Sequence, residues 1–181
     1  LFLSSRDIQL GRGEPIEDTA RVLSRMVDGI MIRTYSHQEV VELAKYSSVP
    51  VINGLSDYLH PTQVLADLMT IKEYKGKIQG LKLAYIGDGN NVAHSLLLGC
   101  TKMGMQVALA SPEGYQPEPE IVRTAQKNAA ASGGSVIITT DPVQAAREAD
   151  VLYTDVWASM GQEAESEARK KVFASYQINA Q

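Results

Sequence analysis

Short apolar runs alternate with longer amphipathic segments along almost the whole chain. The runs have the length of strands, whereas the segments between them repeat apolar residues every three or four positions, as amphipathic helices do. Strands are predicted at residues 1–3, 30–32, 49–52, 81–86, 106–110, 135–139 and 151–156, with another that begins at 176. Because strands alternate with helices, the predicted fold class is α/β, with parallel sheets flanked by helices on both faces.

Local signals mark where several of the predicted helices begin. Pro15 and Pro61 suit a first helical turn, where the missing N–H removes no hydrogen bond. Ser36 and Glu39 have the spacing of a capping box, and Asp141 can cap the helix that follows it. Helices are predicted at 16–27, around 40–44, from 61 onwards, and at 92–103, 118–131, 142–148 and 162–173.

A polar run at residues 74–80, which contains Gly76 and Gly80, divides this pattern into two halves. We predict a domain boundary there, with one lobe at 1–75 and a second lobe at 76–181. Strands and helices repeat without interruption in the second lobe, which predicts a doubly wound, Rossmann-like sheet.

Composition argues against several classes of protein. The 181 residues carry a net charge of -4, which does not favour binding to nucleic acid. We expect no membrane span and no secretory signal, because no apolar run is long enough and the first residues lack the pattern. The single Cys100 favours a reducing cytoplasm, since it cannot form an internal disulfide. One Cys and three His residues show no metal-ligand spacing, so we predict no metal site.

Ligands of parallel α/β sheets bind beyond the carboxyl ends of the strands, and this rule selects a few loops. They are 33–35, 54–63, 87–91, 111–116 and 155–161. Arg33 follows a strand directly and can direct a guanidinium at a phosphate or carboxylate, although a solvated loop arginine is equally compatible. His60 and Gln63 start a helix three residues apart, so both can face one ligand. The alternative is a helix cap with a surface histidine.

Two further loops have polar groups suited to small molecules. Gly87–Asn91 follows a strand and opens a helix, as dinucleotide-binding loops do, but the third glycine of that fingerprint and the acidic residue of the next strand are both missing. We therefore interpret it as a turn whose paired asparagines hold a polar ligand. Asp155 and Ser159 follow a strand and could bind an ammonium group, although Asp155 could instead start the next helix.

Other polar residues fit purely structural roles. His37 follows a predicted cap residue, and His94 and Cys100 lie inside a predicted helix, so we expect ordinary packing for them. The acidic residues Glu163, Glu165 and Glu167 are expected on a solvated helix face.

Taken in order, these loops resemble those of the ornithine carbamoyltransferases, a group within the aspartate/ornithine carbamoyltransferase family. The resemblance rests on an arginine after Met31-Ile32, on His60-Pro61-Thr62-Gln63, on Asp88-Gly89-Asn90-Asn91 and on Asp155-x-Trp157-x-Ser159-Met160-Gly161. The stretch 11–23 is also typical of this family, and the resemblance covers essentially the whole chain. The Ser-Met-Gly element favours ornithine over aspartate as acceptor.

The resemblance implies an enzyme that moves the carbamoyl group of carbamoyl phosphate to the side-chain amine of L-ornithine in arginine biosynthesis. It implies catalytic roles for Arg33 and His60, which would point at the carbonyl oxygen. The residues that would bind carbamoyl phosphate are Gln9, Arg33, His60, Pro61, Thr62 and Gln63. Those that would bind ornithine are Asn91, Asp155, Ser159 and Met160. No metal or cofactor is implied, and the complete enzyme would be a cytoplasmic homotrimer in which Gln9 reaches a neighbouring subunit.

Two family elements are absent from the chain, so we expect a central segment that is truncated at both ends. The Ser-Thr-Arg-Thr-Arg phosphate loop would lie upstream and the His-Cys-Leu-Pro loop downstream. Three other functions stay open at this point: a non-catalytic fragment or binding module, a carbamoyltransferase for another amine, and a nucleotide-dependent oxidoreductase suggested only by the glycines of 87–91.

Overall fold

A computed structural model describes residues 1–4, 8–158 and 163–179. The chain forms two compact units, Leu1–Asp57 and Tyr58–Gln181. Each unit has its own parallel sheet, and each is described by itself below.

The first unit contains two helices and a two-stranded parallel sheet. After a short 3-10 helix at Gln9–Arg12, its elements are α1 (Ile16–Leu23), β1 (Ile30–Arg33), α2 (His37–Tyr46) and β2 (Val51–Leu55). The strands pair in register from Ile30 and Val51, with an irregularity before Arg33. Ala20 of α1 and Leu43 of α2 are buried. The pairing confirms the predicted parallel arrangement.

Four details of the first unit differ from the sequence predictions. Residues 1–3 do not form a strand, because β1 and β2 pair only with each other in the described part of the chain. Helix α1 ends at Leu23 instead of 27, where the Ser24 hydroxyl donates to the Ala20 carbonyl. Strand β2 continues through 53–54 to Leu55, whose carbonyl accepts from the Thr34 N–H.

The fourth difference is the predicted capping box of α2. Ser36 is the N-cap residue, but its side chain makes no capping hydrogen bond. Glu39 instead accepts a hydrogen bond from the Thr34 hydroxyl. The exposed N–H of His37 donates to Asp57 Oδ1 at 3.0 Å. Asp57, from another segment, therefore accepts a hydrogen bond at the start of α2, where the local pattern predicted that Ser36 and Glu39 would cap the helix.

The second unit is built on a four-stranded, wholly parallel sheet. Its elements are α3 (Pro61–Lys75), β3 (Lys82–Ile86), α4 (Asn91–Lys102), β4 (Gln106–Ala110), α5 (Pro119–Ser132), β5 (Ser135–Thr139), α6 (Pro142–Ala146), β6 (Val151–Tyr153) and α7 (Ser166–Val172). The strand order is β5-β4-β3-β6. This order confirms the doubly wound sheet, since the chain leaves β3 toward β4 and later returns to its other side.

Helices cover both faces of this sheet. One core contains Leu83, Val107 and Leu109 of the strands, packed with side chains of α3, α4 and α5. The other face has small residues, such as Ala108 and Ala110, beneath Ala145 of α6 and the rings of Phe173 and Tyr176. Small strand residues allow this second layer to approach the sheet closely.

Helix α3 packs directly on α4 within the second unit. Val64, Leu68 and Ile71 belong to the same core as Leu96 and Leu97. A Cβ at Gly99 would lie 2.8 Å from Val64 Cγ2, so only glycine permits this approach. Helix α3 thus belongs to the second unit by packing, while the functional boundary at residue 75 stays a prediction.

The last part of the chain departs from the predicted strands. Strand β6 ends at Tyr153, and not at 156, because the Thr154 hydroxyl donates to the Ile86 carbonyl at 2.8 Å. Residues 174–176 form a 3-10 helix where a strand was predicted to begin. The Tyr176 hydroxyl donates to the Thr140 carbonyl at 2.7 Å, which anchors this turn to the second face of the sheet. Among the described residues, no helix has the length and apolar character needed to cross a membrane.

Candidate functional site

The order of the second sheet determines where polar loops meet. Strands β3 and β6 are neighbours, yet the chain leaves their carboxyl ends toward opposite faces of the sheet. Such a switch point opens a crevice at the strand ends, and ligands of doubly wound folds bind there. The loop after β3 contains 87–90, and the loop after β6 contains Asp155.

Asn90 connects these two loops and starts α4. Its Oδ1 accepts from the N–H groups of Val92 and Ala93 at 3.0 and 3.1 Å, which caps the helix. Its Nδ2 donates to Asp155 Oδ2 at 3.0 Å. This bond connects the start of α4, where Asn91 is the first helical residue, to the half-buried Asp155 side chain.

Gly89 shows why this loop is rich in glycine. A Cβ on Gly89 would lie 2.3 Å from the backbone nitrogen of Pro117 and 2.4 Å from the carbonyl carbon of Gln116. The glycine is required by packing against residues 115–117, and the first N–H groups of α4 are already bonded to Asn90. These contacts argue against the dinucleotide interpretation of the loop, which needs free N–H groups for a pyrophosphate.

Two side chains of α4 hold the segment that carries His60. His94 is buried, and its Nδ1 is 2.9 Å from the Tyr58 carbonyl, while its Nε2 accepts from the Glu118 N–H at 3.1 Å. Ser95 accepts from the His60 N–H at 2.7 Å and donates to the Asn91 carbonyl at 2.8 Å. Ser95 thus links the start of α3 to the start of α4. Burial lowers the pKa of His94, which keeps the ring neutral, as its two hydrogen bonds require.

His60 itself is the N-cap residue of α3, followed by Pro61 at the first position. Its Nδ1 is 3.3 Å from the Thr62 hydroxyl. When that hydroxyl donates, the ring proton lies on Nε2, the tautomer that can donate to a ligand carbonyl oxygen. The predicted start of α3 at Pro61 is confirmed.

Gln63 lies on the first turn of α3 within a polar cluster. Its Nε2 donates to Asp67 Oδ1 at 2.9 Å. Burial and the Asp67 carboxylate raise the pKa of Tyr153, and the nearby Gln63 amide opposes that rise. The ring of Tyr153 stacks on that of Tyr85, with centroids 6.0 Å apart. This cluster continues from α3 to the carboxyl ends of β3 and β6.

Tyr85 is the most deeply buried member of the cluster. Its hydroxyl has no hydrogen-bond partner within the described ranges. Burial raises its pKa well above the ordinary value, and the nearby carboxylates of Asp155 and Asp88 add to the rise. Tyr85 therefore stays neutral and brings no charge to the switch point.

A buried ion pair supports the loop that follows Asp155. Arg169 of α7 donates to Asp88 Oδ2 at 2.8 Å and to the Trp157 carbonyl at 3.1 Å, and both charged side chains are 8% exposed. The guanidinium also lies 5.0 Å from the ring centre of Tyr115. Burial raises the pKa of Asp88, and Arg169 opposes the rise because it stabilises the carboxylate. Arg169 thus connects the loop after β3, through Asp88, to the loop after β6, through the Trp157 carbonyl.

The other predicted site residues lie elsewhere. Arg33 is exposed at the end of β1, and Gln9 is exposed in the 3-10 helix at 9–12, both in the first unit. Ser159 and Met160 fall outside the described residues. The structure thus brings His60, Gln63, Asn91 and Asp155 together in the second unit and tests no role for any of them.

Sequence reasoning missed the supporting residues of this site. Asp67 and Ser95 lie inside amphipathic helices, where a polar residue is ordinarily assigned to the solvent side. The solvated helix face predicted for the nearby acids is confirmed for Glu165 and Glu167, and the sequence analysis singled out no role for Arg169, which is buried. The spacing of Gln63 and Asp67, four residues apart on one helix, was the one local signal that could have found a pair.

Two residues that sequence analysis set aside have the packing roles expected of them. His94 is a buried helix residue with both ring nitrogens bonded, and Cys100 is fully buried in the core. Burial raises the pKa of Cys100 to about 12, so its thiol stays protonated and unreactive. A cavity of about 230 Å³, lined in part by Lys82, Gln106 and Asp150, lies at the amino ends of the strands, away from the candidate site.

Two protein-family models match the chain. The aspartate/ornithine carbamoyltransferase carbamoyl-P binding domain matches residues 1–73. The Asp/Orn binding domain of the same family matches residues 79–181 and includes the whole four-stranded sheet. Together they account for nearly the entire chain.

Similar proteins agree with these matches. An ornithine carbamoyltransferase of Thermococcus kodakarensis is 63% identical over 179 residues, which are 99% of this chain and 57% of the relative. One from Symbiobacterium thermophilum is 64% identical over 181 residues, or 58% of its length. The solved ornithine carbamoyltransferase of Pyrococcus furiosus matches with a TM-score of 0.94 and 60% identity, and the match covers 99% of this chain and 57% of that one. The chain thus spans little more than half the length of these relatives, and it belongs to the aspartate/ornithine carbamoyltransferase family.

Proposed function

We propose that the full-length protein carrying this chain transfers a carbamoyl group from carbamoyl phosphate to the side-chain amine of L-ornithine. The products are L-citrulline and phosphate. Membership of the family supports carbamoyl transfer, and the similar proteins described above are named ornithine carbamoyltransferases. A relative from Pyrococcus furiosus, 60% identical, is named anabolic, which supports a role in arginine biosynthesis.

The hydrogen bond from Asn90 to Asp155 is the observation that carries the choice of acceptor. It holds an anionic side chain beside Asn91 at the switch point of the sheet, the place where a ligand binds in such folds. Ornithine has two amines and one carboxylate. Asn91 and Met160 would fix the amino-acid end of ornithine, and Asp155 and Ser159 would also orient its amines.

The donor would be held by the six residues that the family resemblance assigns to carbamoyl phosphate. Arg33 and His60 would donate hydrogen bonds to the carbamoyl oxygen, where negative charge grows as the bond to nitrogen forms. Gln63 would hold the carbamoyl amide, with Pro61 and Thr62 shaping the turn around the acyl phosphate. Gln9 would reach the donor of a neighbouring subunit.

The reaction needs positioning more than a reactive side chain. The neutral amine attacks the carbamoyl carbon, the C–N bond forms, and the C–O bond to phosphate breaks, so that phosphate leaves with the electron pair. The attacking nitrogen loses one proton, which the departing phosphate can accept. An alkyl amine has a pKa near ~10.4, so deprotonation at pH 7 costs roughly 4–5 kcal/mol. Alignment of the two substrates and stabilisation of the carbonyl oxygen would offset this barrier.

The proposal extends to assembly and location. We propose a homotrimer, with donor sites at subunit boundaries, and a cytoplasmic enzyme in which the buried Cys100 stays a thiol. Since the chain spans about 57% of its relatives, catalysis is proposed for the full-length protein.

Separate measurement of donor and acceptor affinity tests these roles. The full-length wild-type protein should form citrulline from carbamoyl phosphate and ornithine. Asp155→Asn should weaken binding of L-norvaline, which lacks the side-chain amine, by roughly ten- to hundredfold, because a hydrogen bond between charged groups is lost. Arg33→Ala should instead raise the KM of carbamoyl phosphate by a similar factor.

Asp150→Asn is the matched control, because Asp150 lies at the amino end of the same sheet, where it accepts from the Lys82 N–H. It should leave both affinities unchanged. If Asp155→Asn keeps norvaline binding and abolishes donor binding, the assignment of donor and acceptor residues is reversed. If the wild type forms no citrulline, the proposed function is wrong.

A further inference from the structure

Gln63 has its amide orientation set by its partners in the structure. A carboxylate can only accept hydrogen bonds, so the Gln63 atom 2.9 Å from Asp67 Oδ1 is the amide nitrogen. The amide nitrogen is therefore directed at Asp67, and Oε1 lies on the other branch of the amide, where it can only accept.

Asp67 is well placed to maintain this orientation. It lies one helical turn after Gln63 on α3, and its Oδ2 is buried without a hydrogen-bond partner in the described part of the chain. Because this oxygen is buried, protein contacts and not solvent fix the orientation of the Asp67 carboxylate. Tyr153, at the end of β6, closes the cluster from the sheet.

We propose that Asp67 is a positioning residue that holds the Gln63 amide with its oxygen toward the ligand. The site is therefore specific for a donor substrate that presents an N–H group, such as the carbamoyl amide, at this point. A methyl group in the place of that nitrogen, as in acetyl phosphate, or a carboxylate oxygen, as in carboxyphosphate, would face Oε1 with no polar hydrogen to donate. This inference rests on the proposed function, because it concerns the ligand of the same site.

A double-mutant cycle distinguishes positioning from a helix-stabilising pair. In the full-length protein, Gln63→Ala and Asp67→Ala should each raise the KM of carbamoyl phosphate roughly ten- to hundredfold. In the Gln63→Ala background, Asp67→Ala should add no further loss, because Asp67 acts through Gln63. Asp67→Asn, which keeps an oxygen acceptor, should recover part of the donor affinity.

Glu73→Gln serves as control, since Glu73 is an exposed acid on the same helix. It should leave the KM of the donor unchanged. Tyr153→Phe should raise the donor KM less than Asp67→Ala does, because the carboxylate still holds the amide.

Some results would overturn the inference while leaving the proposed function intact. One is a wild type that forms citrulline while the losses from Gln63→Ala and Asp67→Ala multiply in the double variant. Another is an Asp67→Ala protein that melts at a lower temperature but retains the wild-type donor KM. A wild type that forms no citrulline counts against the proposed function itself.

Discussion

His94 illustrates how much of this site depends on the protonation state of a single buried side chain. Its Nε2 accepts from the Glu118 N–H, and its Nδ1 is bonded to the Tyr58 carbonyl, two residues before His60. An imidazolium has no acceptor, so protonation breaks the first of these bonds. The donor of that bond, Glu118, is the N-cap residue of α5, so the neutral ring of His94 joins three segments.

We predict a stability loss in acid that traces to His94. Burial lowers its pKa in the folded protein below the ordinary value of 6.5. The unfolded state therefore binds the proton more readily, and the contribution of His94 is fully present above 6.5 and lost as the pH falls through the lowered folded pKa. Urea unfolding at pH 7.5 and 5.5 should show this loss for the wild type.

His94→Gln removes the titrating group while keeping an amide that can donate and accept. The variant should be less stable at pH 7.5, and its free energy of unfolding should change less between the two pH values. An equal change in both proteins would show that other groups cause the acid sensitivity.

Helix α4 organises the site at the scale of an element. Asn90 caps it and contacts Asp155, and Ser95 on its second turn bonds both His60 and Asn91. One helix therefore supports residues proposed for the donor and for the acceptor. The geometry depends on one hydroxyl that both donates and accepts.

Ser95→Ala should disturb donor and acceptor binding together. The substitution leaves the His60 N–H without its acceptor, which destabilises the fold by about 1–3 kcal/mol. We expect a higher KM for carbamoyl phosphate and weaker norvaline binding in the same variant. Thermal unfolding and the two affinity measurements would test this.

Thr70→Ala provides the comparison for Ser95. Thr70 lies on the exposed face of α3, where its hydroxyl donates to the Ala66 carbonyl at 3.0 Å. Loss of this hydroxyl should change the free energy of unfolding by less than ~0.5 kcal/mol. If Ser95→Ala leaves both affinities unchanged, the Ser95 hydroxyl does not support substrate binding.

At the scale of the whole molecule, the proposed trimer makes each donor site depend on two subunits. Gln9 lies in an exposed 3-10 helix of the first unit, a position open to a neighbouring subunit. His60 belongs to the second unit. A closed trimer repeats the same boundary at each subunit, so every site would be equivalent.

Mixing two inactive variants tests this dependence. Full-length Gln9→Ala and His60→Ala proteins, dissociated and reassembled together, should regain about a quarter of the wild-type activity, since random assembly places both intact residues in that share of the sites. Each variant reassembled alone should stay inactive, and light scattering should give the mass of a trimer. A fully active monomer, or mixtures without recovery, would contradict the shared site.

Much of this architecture was predictable from the sequence, because its signals are local. Strands β4 and β5 begin and end where the apolar runs do, and Pro61 and Asp141 mark the starts of α3 and α6. The strand ends in turn indicated Asn91 and Asp155, which follow the neighbouring strands β3 and β6 of one parallel sheet, and they also indicated His60 after β2. Periodicity and turn chemistry depend on residues a few positions apart, and the sequence contains them fully.

Tertiary structure alone decided the contacts between distant segments. Asp57 takes the place of the predicted cap at α2, and Arg169 is buried against Asp88 although its neighbours in sequence are solvated. Glycines at 89 and 99 are needed because other segments approach them closely. A side chain's partner depends on which surfaces meet after folding. The sequence by itself therefore determined the order of elements and the loops of the site, and packing determined which residues support them.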